Sequence, residues 1–169
     1  MTRILLTGPP QCGKTTVIQK VVANFPGQVA GFYTREVRER GRRVGFEIVT
    51  LAGDTDILSH EAFRGPLRVG KYGVNLHNFQ RVALPTLEVA PDVDLIVVDE
   101  VGKMECLSDK FVTAIEGLWT APVLLLITVA EKGGGLIAEL KAKPDKILLT
   151  VTLTNREALP ARILDLMKK

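Results

Sequence analysis

"GPPQCGKT", Gly8 to Thr15, is the stretch that decides the fold. It follows the apolar run Ile4-Leu5-Leu6, which reads as a short buried strand from Arg3 to Thr7. It precedes Ile18, Val21, Val22 and Phe25, which recur at helical spacing until Pro26-Gly27 stops them. Strand, glycine-pinned turn and helix, in that order, give Gly-x-x-x-x-Gly-Lys-Thr the context of a phosphate-binding loop. The glycines let backbone N–H groups turn inward around phosphates, and the helix N-terminus adds partial positive charge. The whole loop, Gly8, Pro9, Pro10, Gln11, Cys12 and Gly13, is therefore expected to wrap a nucleotide. Lys14 is expected to reach its β- and γ-phosphates. The Thr15 hydroxyl is expected to ligate Mg²⁺, and Thr16 to place a hydroxyl near the α-phosphate. Cys12 is expected close enough to the bound nucleotide for alkylation to block the site and for the nucleotide to shield it.

Such a loop needs an acid at the end of a neighbouring buried strand to hold the metal. Leu95-Ile96-Val97-Val98-Asp99-Glu100 supplies one, because four consecutive apolar residues fit a strand buried on both faces. Asp99 is read as the metal-side carboxylate, acting through water. Glu100, one residue on, points to the other side of the strand, where it can polarise a water. The competing reading of Glu100 is an ion pair, for example with Lys103, since ion pairs also place acids at strand ends.

Outward from these segments, strands and helices alternate. Val29 to Val37 and Val44 to Leu51 flank Arg40-Gly41-Arg42-Arg43 and read as a hairpin turning near Gly41. Asp54 to Lys71 has no clear period and reads as a long loop. Leu76, Phe79 and Ala83 mark a helix ended or kinked by Pro85, and Phe111, Ile115 and Leu118 mark another. Val123 to Val129 is a second apolar strand. Leu136 to Lys143 reads as a helix, Lys146 to Leu153 as a last strand, and the end of the chain as a helix with Pro160 at its start. The alternation implies an α/β fold, a mostly parallel sheet with helices on both faces and a β-hairpin insertion. The length of 169 residues suits one domain, 1–169. Two cysteines, Cys12 and Cys106, form no disulfide framework, which points to a reducing cytoplasm. No apolar run is long enough for a leader or a membrane span. A net charge of +3 gives weak grounds for a nucleic-acid partner, and a monomer is expected.

Beyond the loop, "DEVGKME" at Asp99 to Glu105 resembles the DEIGKME block of the THEP-type nucleoside triphosphatases. "GFYTREVRERGRRVGFEIVTLAG" (Gly31 to Gly53), "VGKYGVNL" (Val69 to Leu76) and "LLTVTLTNREALP" (Leu148 to Pro160) are similar to further blocks of that family. The resemblance covers nearly the whole chain and implies a RecA-like P-loop fold. It also implies slow, Mg²⁺-dependent hydrolysis of ATP, GTP, CTP and UTP to the diphosphate and phosphate. Val101 and Gly102 join Asp99 and Glu100 as nucleotide-site residues within the matching block.

Weaker signals carry two readings each. Arg35, Arg38, Arg40, Arg42 and Arg43 could face RNA or supply an arginine to the γ-phosphate, with Arg38 or Arg43 the candidates. Interleaved Glu36 and Glu39 favour an ordinary solvated hairpin. Asn75 could shape the γ-phosphate side or simply cap the next helix. Lys103 could contact phosphate or pair with Glu100 or Glu105. Asn155 and Arg156 could hold the base, a guanidinium stack tolerating any base, or form a capping turn. The triple glycine at Gly133 with Lys132 could form a small lid. Two competing functions fit the same pattern. A small-molecule or nucleotide kinase would need an acceptor site. A nucleic-acid-binding regulatory ATPase would bind with steep salt dependence.

Overall fold

The computed structural model describes residues 1–168, which form nine strands and five α-helices. β1 (Arg3–Thr7), β2 (Val29–Glu39), β7 (Leu95–Val101), β8 (Leu124–Val129) and β9 (Lys146–Thr150) make the parallel core, in the order β2-β7-β8-β1-β9. The apolar runs are explained by their two-sided burial. Ile4, Leu6, Leu95 and Val97 face one helical layer, built on α1 (Lys14–Asn24) and α5 (Leu159–Met167). Leu5, Ile96 and Val98 face the other, built on α2 (Leu76–Ala83), α3 (Asp109–Thr120) and α4 (Leu136–Ala142). Leu95, Ile96, Val97 and Val98 are wholly inaccessible, each side chain stabilising the fold by roughly 1.5–3 kcal/mol. Phe32, Phe79 and Phe111 knit β2 to α2 and α3, with edge-on ring centroids 5.3–6.2 Å apart.

The hairpin turns at Arg40-Gly41 as read, with β3 (Arg42–Thr50) antiparallel to β2. β2 pairs with β7 through Val29–Tyr33 and with β3 from Phe32 onward, so the hairpin is a continuation of the core sheet. The stretch 54–71 is not one long loop. It holds β4 (Thr55–His60) and β5 (Arg68–Val69), which with β6 (Tyr72–Val74) extend the antiparallel wing in the order β5-β6-β4-β3. These strands are short, and β4 has a bulge opposite Phe46/Glu47, so no period of two accumulates in the sequence. The strand bearing Asp99 is also not the direct neighbour of β1, since β8 lies between them.

Candidate active site

The loop from Gly8 to Gly13 leaves β1 and closes on α1. Gly8 has φ +148°, and a Cβ there would lie 2.6 Å from the Val151 carbonyl oxygen, so the loop can lie against the end of β9 only with glycine. Gly13 caps α1 at φ +103° with the Arg156 side chain packed over it. The Lys14 ammonium donates to the carbonyls of Gly8 (2.8 Å) and Pro9 (3.0 Å), which holds it over the loop.

Asp99 is 3% exposed, and both its carboxylate oxygens are engaged. The Thr15 hydroxyl donates to Oδ2 at 2.5 Å, and the Thr128 hydroxyl of β8 donates to Oδ1 at 2.5 Å. Burial pushes the Asp99 pKa above its ordinary value, opposed by those hydroxyls and by the charge of Lys14. Glu100 is held above the ordinary range by burial first and by Asp99 second, with Lys14 acting against both. Among the described residues no ion pair joins Lys103 to Glu100 or Glu105. Glu105 is buried and accepts from the Gly102 N–H at 3.1 Å, and its carboxyl is raised to about 8 by burial.

Lys14, Thr15, Asp99 and Glu100 line one cavity of about 780 Å³. Gly8, Pro10, Gln11 and Gly13 of the loop line it, followed by Lys14, Thr15 and Thr16 of α1. Asp99 and Glu100 form the acidic wall, and Arg156 stands on the side of Gly13. Other expected residues serve it indirectly or turn away. Pro9 offers its carbonyl to Lys14. Cys12 is 4% exposed and packs into the core with Val17, Ile18 and Val151, so its thiol does not face the cavity as expected. Val101 is wholly buried in the opposite core layer, and Gly102 spends its N–H on Glu105. Asn155 is committed to a turn, accepting from the Thr152 N–H at 2.8 Å and donating to the Thr150 carbonyl at 2.8 Å. Asn75 caps α2, accepting from the Asn78 N–H at 3.0 Å.

Of the hairpin arginines, only Arg43 reaches the cavity wall. It donates to the Tyr72 hydroxyl and to Glu36, both at 3.0 Å, and lies 5.2 Å from the Phe46 ring centroid. Arg35, Arg38 and Arg42 pair with Glu47, Glu36 and Glu61, the solvated arrangement of a mixed-charge hairpin. Sequence reasoning missed Thr128, although a lone hydroxyl inside an apolar strand signals a buried polar partner. It also missed Thr34, Glu36 and Phe46, which reach the cavity because β2 and β3 extend past the parallel core.

A family model described as NTPase matches residues 3–164. The chain belongs to this NTPase family, of the THEP1 type. Nucleoside-triphosphatase THEP1 of Thermotoga sp. (strain RQ2) is 38% identical over 167 residues, 98% of this chain and 95% of that protein. The cancer-related nucleoside-triphosphatase of Homo sapiens is 39% identical over 92% of this chain and 91% of its own. The crystal structure of THEP1 from Aquifex aeolicus superposes with a TM-score of 0.91 at 34% identity, covering 99% of this chain and all of that one. That THEP1 structure therefore shares the overall fold of this chain. Among the described residues no helix is long and apolar enough to cross a membrane.

Proposed function

We propose that the chain, acting as one domain over residues 1–169, is a cytoplasmic, monomeric, Mg²⁺-dependent nucleoside triphosphatase. It hydrolyses ATP, GTP, CTP and UTP slowly to the diphosphate and phosphate. The observation that carries the reading is the convergence of Lys14, the Thr15–Asp99 pair and Glu100 on one cavity. The loop N–H groups and the α1 N-terminus bind the phosphates. Lys14 leaves its loop carbonyls for the β- and γ-phosphate oxygens. Hard oxygen donors, a hydroxyl and a carboxylate, suit Mg²⁺, which keeps several waters and shares phosphate ligands. Thr15, and Asp99 through water, would hold an ion that neutralises charge at the β- and γ-phosphate oxygens.

Glu100 orients the attacking water and takes its proton as the water oxygen bonds to the γ-phosphorus and the bridge to the β-phosphate breaks. Arg43, preset by Tyr72, Glu36 and Phe46, faces the charge that develops on the transferred phosphoryl group. Arg156, on the cavity wall beside Gly13, stacks on the base, a contact that tolerates any base. The hairpin arginines, mostly paired with glutamates, give nucleic acid little to hold.

Glu100→Gln tests the reading. It should bind Mg-ATP about as tightly as wild type, yet release phosphate in a single turnover at least ~100-fold more slowly. Lost binding with unchanged hydrolysis of what binds would move water activation to another residue.

A further inference from the structure

A second cavity, of about 260 Å³, opens on the far side of Glu100 from the phosphate loop. It shares Thr34, Phe46, Glu100, Ala130 and Lys132 with the first, so the two are continuous along one wall. Its own residues are Val69, Lys103, Met104 and Glu105. Two lysines converge on it, and neither is in an ion pair among the described residues. The stem that carries Lys132 is fixed, because the Lys141 ammonium donates to the carbonyls of Ala130 (2.6 Å) and Glu131 (2.8 Å). Two carboxylates also line it: Glu105, whose carboxyl is held up to about 8 by burial, and Glu100, which carries the proton taken from the attacking water once phosphate has formed. The space is too small for a second nucleotide and wide enough for a tetrahedral oxyanion.

We propose that this cavity is a second phosphate subsite, which takes inorganic phosphate from the hydrolytic centre through the wall at Glu100. Lys103 and Lys132 are its cations. The inference rests on the hydrolase reading, because phosphate is formed at Glu100, which lines both cavities. The subsite gives the product a route that does not require the diphosphate to leave the loop first. It also predicts inhibition by phosphate that nucleotide does not relieve.

The test saturates the protein with ADP, so that the loop is occupied, and titrates inorganic phosphate while following ³¹P line broadening. Wild type should show saturable binding. Lys103→Ala and Lys132→Ala should each weaken it roughly tenfold, the loss of one charge-assisted contact. Lys110→Ala, an exposed lysine on α3, makes the same charge change and should leave binding unaltered. Both cavity lysines are exposed at the surface, so the variants should fold, and Lys→Gln versions check this by melting temperature. Equal phosphate binding in the double variant, or none to the ADP-saturated wild type, would overturn the subsite. Phosphate release from ATP, assayed separately, keeps the two ideas apart: no release would sink the hydrolase reading, whatever the binding curves show.

Discussion

Thr128→Val removes one hydroxyl and changes almost no volume. In the structure that hydroxyl is wholly buried, and it donates to Asp99 Oδ1 at 2.5 Å. Among the described residues only the Thr15 hydroxyl offers the carboxylate another side-chain donor. A hydrogen bond to a charged group contributes about 1.5–3 kcal/mol. Valine should therefore cost about 2 kcal/mol where Asp99 is ionised, a fall of roughly 4–8 °C in melting temperature for a domain of this size. The sign of the pH dependence follows from the same bond. The Thr128 hydroxyl favours ionised Asp99, so the variant has the higher folded-state pKa. Its deficit is full where wild-type Asp99 is ionised and shrinks as pH falls and both proteins protonate. Urea denaturation at pH 8 and pH 5 measures this, and a Mg²⁺ titration of hydrolysis reports whether Asp99 still holds its orientation. The variant should need more metal for half-maximal rate. A loss under 0.5 kcal/mol at pH 8, together with superimposable metal curves, would refute the claim that β8 sets the metal-side carboxylate.

Lys14→Ala should lower phosphate release by roughly 10²–10³ while leaving the denaturation midpoint near wild type, since one preorganised cation is lost from the phosphates. Arg43→Ala should slow single-turnover hydrolysis by a comparable factor with ATP affinity little changed, whereas Arg38→Ala, whose partners Glu36 and Gly41 lie on the hairpin, should hydrolyse normally; equal rates for the two would remove Arg43 from the mechanism. Glu105→Gln should gain stability relative to wild type as pH rises from about 4.5 to about 8, by at most about 1.4 kcal/mol per pH unit. The reason is that the unfolded carboxyl releases its proton long before the buried one does. Denaturation midpoints that keep a constant difference from pH 5 to pH 8 would mean the group is not held protonated.

The sequence by itself determined what is local. The phosphate loop is one contiguous pattern between a strand and a helix, and its glycines are required by positive φ and close approach to β9. Asp99 and Glu100 were legible because an apolar run buried on both faces can carry acids only at its end. The helix cap at Asn75, one of its two readings in the sequence, is likewise short-range, its side chain accepting from the Asn78 N–H. Tertiary structure decided what depends on which strands become neighbours. Thr128 meets Asp99 because β8 lies between β1 and β7, a choice of strand order that no short window encodes. Arg43 shares the cavity face with Glu36 and Phe46 because the irregularity at Val37/Arg38 shifts the register of β3, while its cross-strand partner Arg38 is drawn to the Gly41 carbonyl at the turn. Cys12 occupies the loop in sequence but the core in space, since the loop is only one residue thick and each of its side chains must choose a side. The second cavity beyond Glu100 arises from residues of five separate segments, Thr34, Phe46, Val69, Lys103 and Lys132, and exists only once the sheet has assembled.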